Sequence, residues 1–195
     1  MRKFVFIIFA VLLVAALKHA DQSSISGVRA FARAVTLPFK VALLYAKEPD
    51  QNLAVPVEGV RVMEIEDTWH APRSGGRLHE GLDIFAKRGA VIRSATEGYV
   101  VRIGENQLGG NTVLVMSAGG RNYYYAHLND YAPGLAVGDY VTPETILGFV
   151  GTTGNAAGTP PHLHFGVYAP GGAVNPLPFL TDKDRLHEQP LTPAR

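Results

Sequence analysis

The chain contains no cysteine. This excludes a disulfide framework, a lipid-modified cysteine and a thiolate-rich structural metal site. Any metal site here has to be built from nitrogen and oxygen donors. Charge of one sign is also lacking. Eighteen Lys and Arg stand against 17 Asp and Glu, a formal net charge of +1, so there is no electrostatic case for nucleic acid as a partner. No internal repeat is present. No apolar run reaches the ~20 residues that span a bilayer comfortably; the longest, Phe4 to Leu17, has fourteen.

What is plentiful is turn chemistry. With 21 Gly and 13 Pro in 195 residues, glycines punctuate the chain from Gly75 to Gly172. Strands are expected near 82–85, 91–96, 98–104, 112–117, 121–128, 146–150 and 162–169, separated by segments such as Q-L-G-G-N and A-G-G. Several short strands at this spacing predict an all-β domain, a two-sheet β-sandwich or open barrel, over residues 56–182. A charged, Pro-containing tail follows at 183–195. Before the domain, Arg2 and Lys3 lead into the Phe4–Leu17 run and Lys18 ends it. That pattern predicts a signal peptide or membrane anchor over 1–20, with the domain exported to the periplasm or held at the outer face of the inner membrane. Lys18-His19-Ala20 is a poor cleavage site, so cleaved and anchored forms both remain open. Residues 21–55 form a helical linker: Val28, Phe31, Val35, Phe39, Ala42, Leu43 and Ala46 recur at helical spacing, and Pro38 is expected to break or restart that helix. The segment either continues the N-terminal helix or packs on the catalytic domain.

The chemistry is concentrated in three strings, H-E-G-L-D (79–83), Y-A-H-L (125–128) and H-L-H-F (162–165), which hold four of the seven His. His162 and His164 are two apart, so in a strand both rings share one face. His79 and Asp83, four apart, also share a face if that segment is extended. One strand pair can then offer His79, Asp83 and one of the two later His to a metal, leaving the fourth position for water. The string is close to H-E-x-x-H, the helical zinc motif in which Glu is the base. Gly81 and the β-type run behind it argue against a helix, so Glu80 is read as a bystander.

With their surroundings, R-L-H-E-G-L-D-I-F-A, G-G-N-T-V-L-V, Y-Y-Y-A-H-L, V-G-D-Y-V and P-H-L-H-F-G-V-Y, these strings resemble the lysostaphin-type zinc metallopeptidases. These are peptidoglycan endopeptidases of the duplicated hybrid motif fold. The likeness runs from about Val57 to Leu180. It implies one zinc per chain held by His79, Asp83 and His164, with His127 and His162 as the two catalytic imidazoles and Asn111 lining the substrate groove. One departure is visible: T-P-E-T follows Val141 where the family usually has Gly near Glu144. Tyr123 and Tyr125 alternate in an expected strand; Tyr125 is taken as a second substrate-binding candidate, with ordinary packing as the alternative. Trp69, His70, Arg73 and Arg77 precede the first ligand in a segment that either is a solvated loop or rims the groove.

The expected function is therefore zinc-dependent hydrolysis of peptide cross-links or stems in peptidoglycan. The bond is open between a D-alanyl to diaminopimelate cross-link and a pentaglycine bridge. The alternatives are a non-enzymatic activator of other cell-wall hydrolases, which the full ligand set opposes, and a plain peptidoglycan-binding module, which needs no such constellation.

Overall fold

The computed structural model describes residues 22–183; the expected leader or anchor at 1–20 and the tail beyond Lys183 lie outside them. Helix α1 spans Gln22–Leu44. Strands follow as β1 Leu53–Ala54, β2 Leu82–Phe85, β3 Val91–Arg93, β4 Gly98–Asn106, β5 Gly110–Met116, β6 Asn122–Tyr131, β7 Tyr140–Val141, β8 Ile146–Val150, β9 His162–Ala169, β10 Gly172–Val174 and β11 Leu180–Thr181. The all-β expectation holds. Nine strands make one antiparallel sheet, and β1 and β11 make a small parallel pair.

The sheet is curled because β6 changes partner along its length. Its first half, Asn122–Ala126, pairs with β9; its second half, from Leu128, pairs with β8. The change falls at His127, which adopts a left-handed backbone with φ 66°. An irregularity of this kind bends a strand and re-aims its side chains. β5 runs along the other edge of β6, followed by β4 and β7; β2 pairs with the free side of β9.

Alternation then decides the interior. Tyr123, Tyr125, Leu163, Phe165 and Val167 point to one face of β6 and β9 and are fully buried, with Val113 and Val115 from β5 beside them. Each large apolar side chain removed from water contributes on the order of 1.5–3 kcal/mol. The turn after Val141 forms normally without glycine: the Thr145 amide donates to the Thr142 carbonyl at 2.8 Å, with Pro143 inside the turn.

The helical linker differs from its expectation at Pro38: α1 runs through it without a break; the ring removes one backbone donor, which a long helix tolerates at a local cost. The helix contacts the domain, but not through its apolar stripe. Val28, Phe31, Val35, Phe39 and Leu43 are all exposed. The docked face is the other one. There Arg33 pairs with Asp139 at 2.9 Å, the Lys40 ammonium lies 5.1 Å from the centre of the Tyr99 ring, and Leu44 is buried. Leu37 and Val41 are half-buried on the same face, so apolar contact acts there together with charge and a cation–π contact.

Candidate active site

The site is assembled on the face of the sheet opposite the core. β2 and β9 pair so that Asp83 lies opposite His164 and Phe85 opposite His162. On β6, Ala126 lies opposite His164. His79 arrives from the loop before β2, held by two backbone contacts: its amide donates to the Ala71 carbonyl, and its carbonyl accepts from the His70 amide. Gly81 is required between them. A Cβ there would lie 2.7 Å from His164 Cε1 and 2.8 Å from the Phe165 carbonyl oxygen, so any side chain would push β2 away from β9. The glycine inside H-E-G-L-D thus serves close packing of the loop on the His164 ring.

Three donor atoms converge. His79 Nε2 is 2.8 Å from His164 Nδ1 and 3.1 Å from Asp83 Oδ1, and His164 Nδ1 is 3.4 Å from Asp83 Oδ1. Ligands bound at 2.0–2.1 Å in a tetrahedron are separated by roughly 3.3 Å, so the triangle is of metal-site size. Its chemistry fits as well. His79 Nδ1 lies 2.7 Å from the Thr68 carbonyl oxygen; a neutral ring donates there and leaves the Nε2 lone pair facing inward. Burial raises the Asp83 pKa, but the His164 and His79 rings and the Arg73 guanidinium packed against the carboxyl outweigh it and hold it far below the usual range. Burial keeps His164 neutral, lowering its pKa. Two imidazoles and one carboxylate that share a point of closest approach are a donor set for a divalent cation.

The outer contacts fix these donors in place, as ligand-orienting groups do. The Arg73 guanidinium pairs with Asp83 Oδ2, which leaves Oδ1 for the triangle. The Thr68 hydroxyl accepts the Asp83 amide at 3.0 Å, so Thr68 orients both His79 and Asp83. Nothing in the sequence singled out Thr68, because it acts on one of them through its backbone.

The other two histidines stand beside the triangle. His127 Nδ1 lies 2.9 Å from the Thr153 carbonyl oxygen and His162 Nδ1 lies 2.8 Å from that of Pro160. Both rings therefore keep Nδ1–H in a hydrogen bond and present Nε2. Their centroids are 5.0 Å apart, and His127 is 5.9 Å from His164. His162 Nε2 is 3.9 Å from Asp83 Oδ1. Burial pushes the His127 pKa down to about 4, so this ring is neutral near pH 7. All five residues line one groove of ≈ 940 Å³. One wall is the loop carrying Arg73, Arg77 and Leu78; the other is the β4–β5 turn and the β8–β9 loop. Those two segments are in tight contact, since a Cβ on Gly110 would lie 2.3 Å from the Gly154 amide nitrogen.

Residues 77–176 match the family model described as Peptidase family M23. The chain belongs to this family. It is similar to an L-Ala–D-Glu endopeptidase of Bacillus subtilis, with 36% identity over 133 residues, covering 63% of this chain and 41% of that protein. It is also similar to the DD-carboxypeptidase/endopeptidase Mpg of Neisseria meningitidis, at 35% over 133 residues, covering 65% and 28%. Among solved structures, the catalytic domain of lysostaphin from Staphylococcus simulans matches with a TM-score of 0.53 and 31% identity, over 59% of this chain and 90% of that one. The chain spans less than half the length of these curated relatives.

Within the M23 domain, two expected substrate contacts are corrected. Tyr125 does not face the groove. It is fully buried, its hydroxyl accepts the Ala95 amide at 2.8 Å, and burial pushes its pKa up to about 12. The groove-facing tyrosine is its neighbour Tyr124, 6.0 Å from the His164 ring centre, with Tyr168 behind it. The strand period of two made Tyr123 and Tyr125 a pair; it did not say which face held the site. Asn111 is not part of the groove lining either. Its side-chain amide donates to the Leu128 and Asn129 carbonyls at 3.2 and 3.3 Å, which ties β5 to the bent part of β6. Of the four residues in the loop before His79, Arg73 and Arg77 line the groove, while Trp69 and His70 stack on each other with centroids 4.4 Å apart. Glu80 lines the groove outside the donor triangle.

Proposed function

We propose that this chain is a zinc-dependent endopeptidase acting on the peptide cross-links or stems of bacterial peptidoglycan. The observation that carries the reading is one groove holding both a two-His, one-Asp donor triangle and two further imidazoles with their Nε2 atoms presented. Family membership supports it, as do relatives whose names specify endopeptidase action. A zinc ion in the triangle would supply Lewis-acid polarisation of the substrate carbonyl and lower the pKa of bound water to ~7.

The protein's own residues do the rest. His79, His164 and the ionised Asp83 hold the metal position; Arg73 and Thr68 keep Asp83 and His79 from rotating. The backbone carbonyls of Thr153 and Pro160 fix His127 and His162 in the tautomer that has a free Nε2. A neutral imidazole in that state accepts a proton from attacking water and, once protonated, returns it to a leaving amine. Its partner hydrogen-bonds the oxygen on which charge develops. The groove walls bring the peptide to these groups and displace water around them.

The substrate lies outside the cytoplasm, so the reading includes export, with the N-terminal segment either removed or retained as an anchor. N-terminal sequencing of the exported protein separates a start at Met1 from a start near Asp21. Function is tested by elemental analysis of the purified protein together with clearing of isolated cell walls and mass spectrometry of the released muropeptides. One zinc per chain with metal-dependent clearing is expected. Zinc retention with intact walls would instead support a non-enzymatic activator of other hydrolases.

A further inference from the structure

We propose that the groove selects a peptide bearing free carboxylates, held by Arg77 on one side of the donor triangle and Arg102 on the other. The inference rests on the peptidase reading for its location and narrows the substrate class. It starts from charge. Arg33, Arg73 and Arg93 are each paired with a carboxylate, of Asp139, Asp83 and Glu58 respectively. Arg77 and Arg102 are exposed, line the groove and make no ion pair among the described residues. The Arg77 Nε donates to the Ser74 carbonyl, at 3.3 Å. Apart from the Arg73–Asp83 pair, the charged lining is two guanidiniums against one carboxylate, Glu80. A divalent cation in the triangle makes the groove more positive still. A site of this sign attracts anions and disfavours cations.

Sheet register gives the arrangement. Arg102 pairs with Leu114, Leu114 with Tyr124, and Tyr124 with Gly166. That row crosses the sheet on the same face as His164, one two-residue step along β9. Three strand spacings separate Arg102 from β9, roughly 14 Å, which is about four residues of extended peptide. Between them Leu114 and Tyr124 form a half-apolar track. Arg77 lies beyond the opposite edge, two residues before His79. An extended peptide crossing the donor triangle thus meets a guanidinium at each end. Guanidinium forks bind carboxylates bidentately, with geometry as well as charge. A bridge made only of glycine offers neither carboxylates for the arginines nor side chains for the track.

The test uses the zinc-loaded full chain and three synthetic substrates of equal length. One is a cross-linked stem peptide with free carboxylates, one is the same peptide with those carboxylates amidated, and one is a pentaglycine peptide. The free-carboxylate peptide is expected to have the lowest KM, with a KM that rises with added salt. Arg77→Gln and Arg102→Gln should each raise its KM about tenfold and leave kcat, zinc content and thermal unfolding unchanged. Neither change should alter the KM of the amidated peptide. Equal KM for the free and amidated peptides, preference for pentaglycine, or Gln variants with unaltered KM would overturn the proposal. Binding of an uncross-linked stem peptide, free against amidated, is measured by titration calorimetry in parallel. Carboxylate-dependent binding that is lost in the Gln variants, without cleavage of any substrate, would keep the groove assignment and sink the peptidase reading. Equal binding of both forms would overturn the groove assignment, whatever is cleaved.

Discussion

The two faces of β6 and β9 carry opposite chemistries on the same backbone. One face holds Tyr123, Tyr125, Leu163, Phe165 and Val167, all fully buried. The other holds Tyr124, His162, His164 and Tyr168 along the groove. The apolar face supplies the stabilisation, and through the pleat it fixes where the polar face points. A slip of one residue in register would exchange the two sets. The position of the site is therefore set by the core beneath it.

That comparison can be broken from either side. The largest effect is expected on the groove face. His79→Ala, Asp83→Ala or His164→Ala should each lose most of the zinc and all measurable hydrolysis, while circular dichroism still reports a folded domain. Full zinc retention by all three variants in elemental analysis would remove the ligand assignment. On the core face, Phe165→Ala should lower unfolding free energy by about 3–5 kcal/mol in denaturant titration, with unchanged zinc per folded molecule. His127→Ala and His162→Ala should keep zinc and fold but reduce turnover ~10²-fold, a barrier increase of about 2.7 kcal/mol; near-normal turnover in a zinc-replete variant would reduce that residue to packing.

Tyr125→Phe sharpens the contrast with the neighbouring groove residue. It leaves the buried Ala95 amide without an acceptor, so stability should fall by about 1–3 kcal/mol with no change in KM. A changed KM at full stability would return Tyr125 to the groove. The smallest effect belongs to α1. Phe39→Ser, on the exposed stripe, should shift unfolding by no more than about 0.5 kcal/mol in the purified protein. A larger loss would mean that the stripe is covered.

Much of this was legible in the residues. The H-x-H spacing in a β-type run put His162 and His164 on one side of a strand, and β2 and β9 do pair with Asp83 opposite His164. Seven strands, β2 to β6 with β8 and β9, were expected close to where they lie. The short strands β1, β7, β10 and β11 were not, because a segment of two or three residues has no period to detect; the equally short β3 was found only inside the longer run expected at 91–96. Pro38 was expected to interrupt a helix that continues through it. Arg73, Thr68 and Arg102 illustrate a different limit. Arg73 reaches Asp83 across a loop, Thr68 acts partly through its carbonyl, and Arg102 enters the groove only because three strands are in register between it and β9.

Local chemistry and periodicity thus determined from sequence alone which side chains can bind a metal, which strings are strands and which positions share a face. Those properties depend on residue type and on a spacing of two or 3.6, both carried by the chain itself. Tertiary structure decided which of the two faces became the groove, and so that Tyr124 rather than Tyr125 lies in it. It also decided that the Arg33–Leu44 face of α1 docks while the Val28–Leu43 stripe does not, and that two distant arginines flank one site. These are outcomes of long-range pairing and of competition for burial, set by strands far apart in sequence.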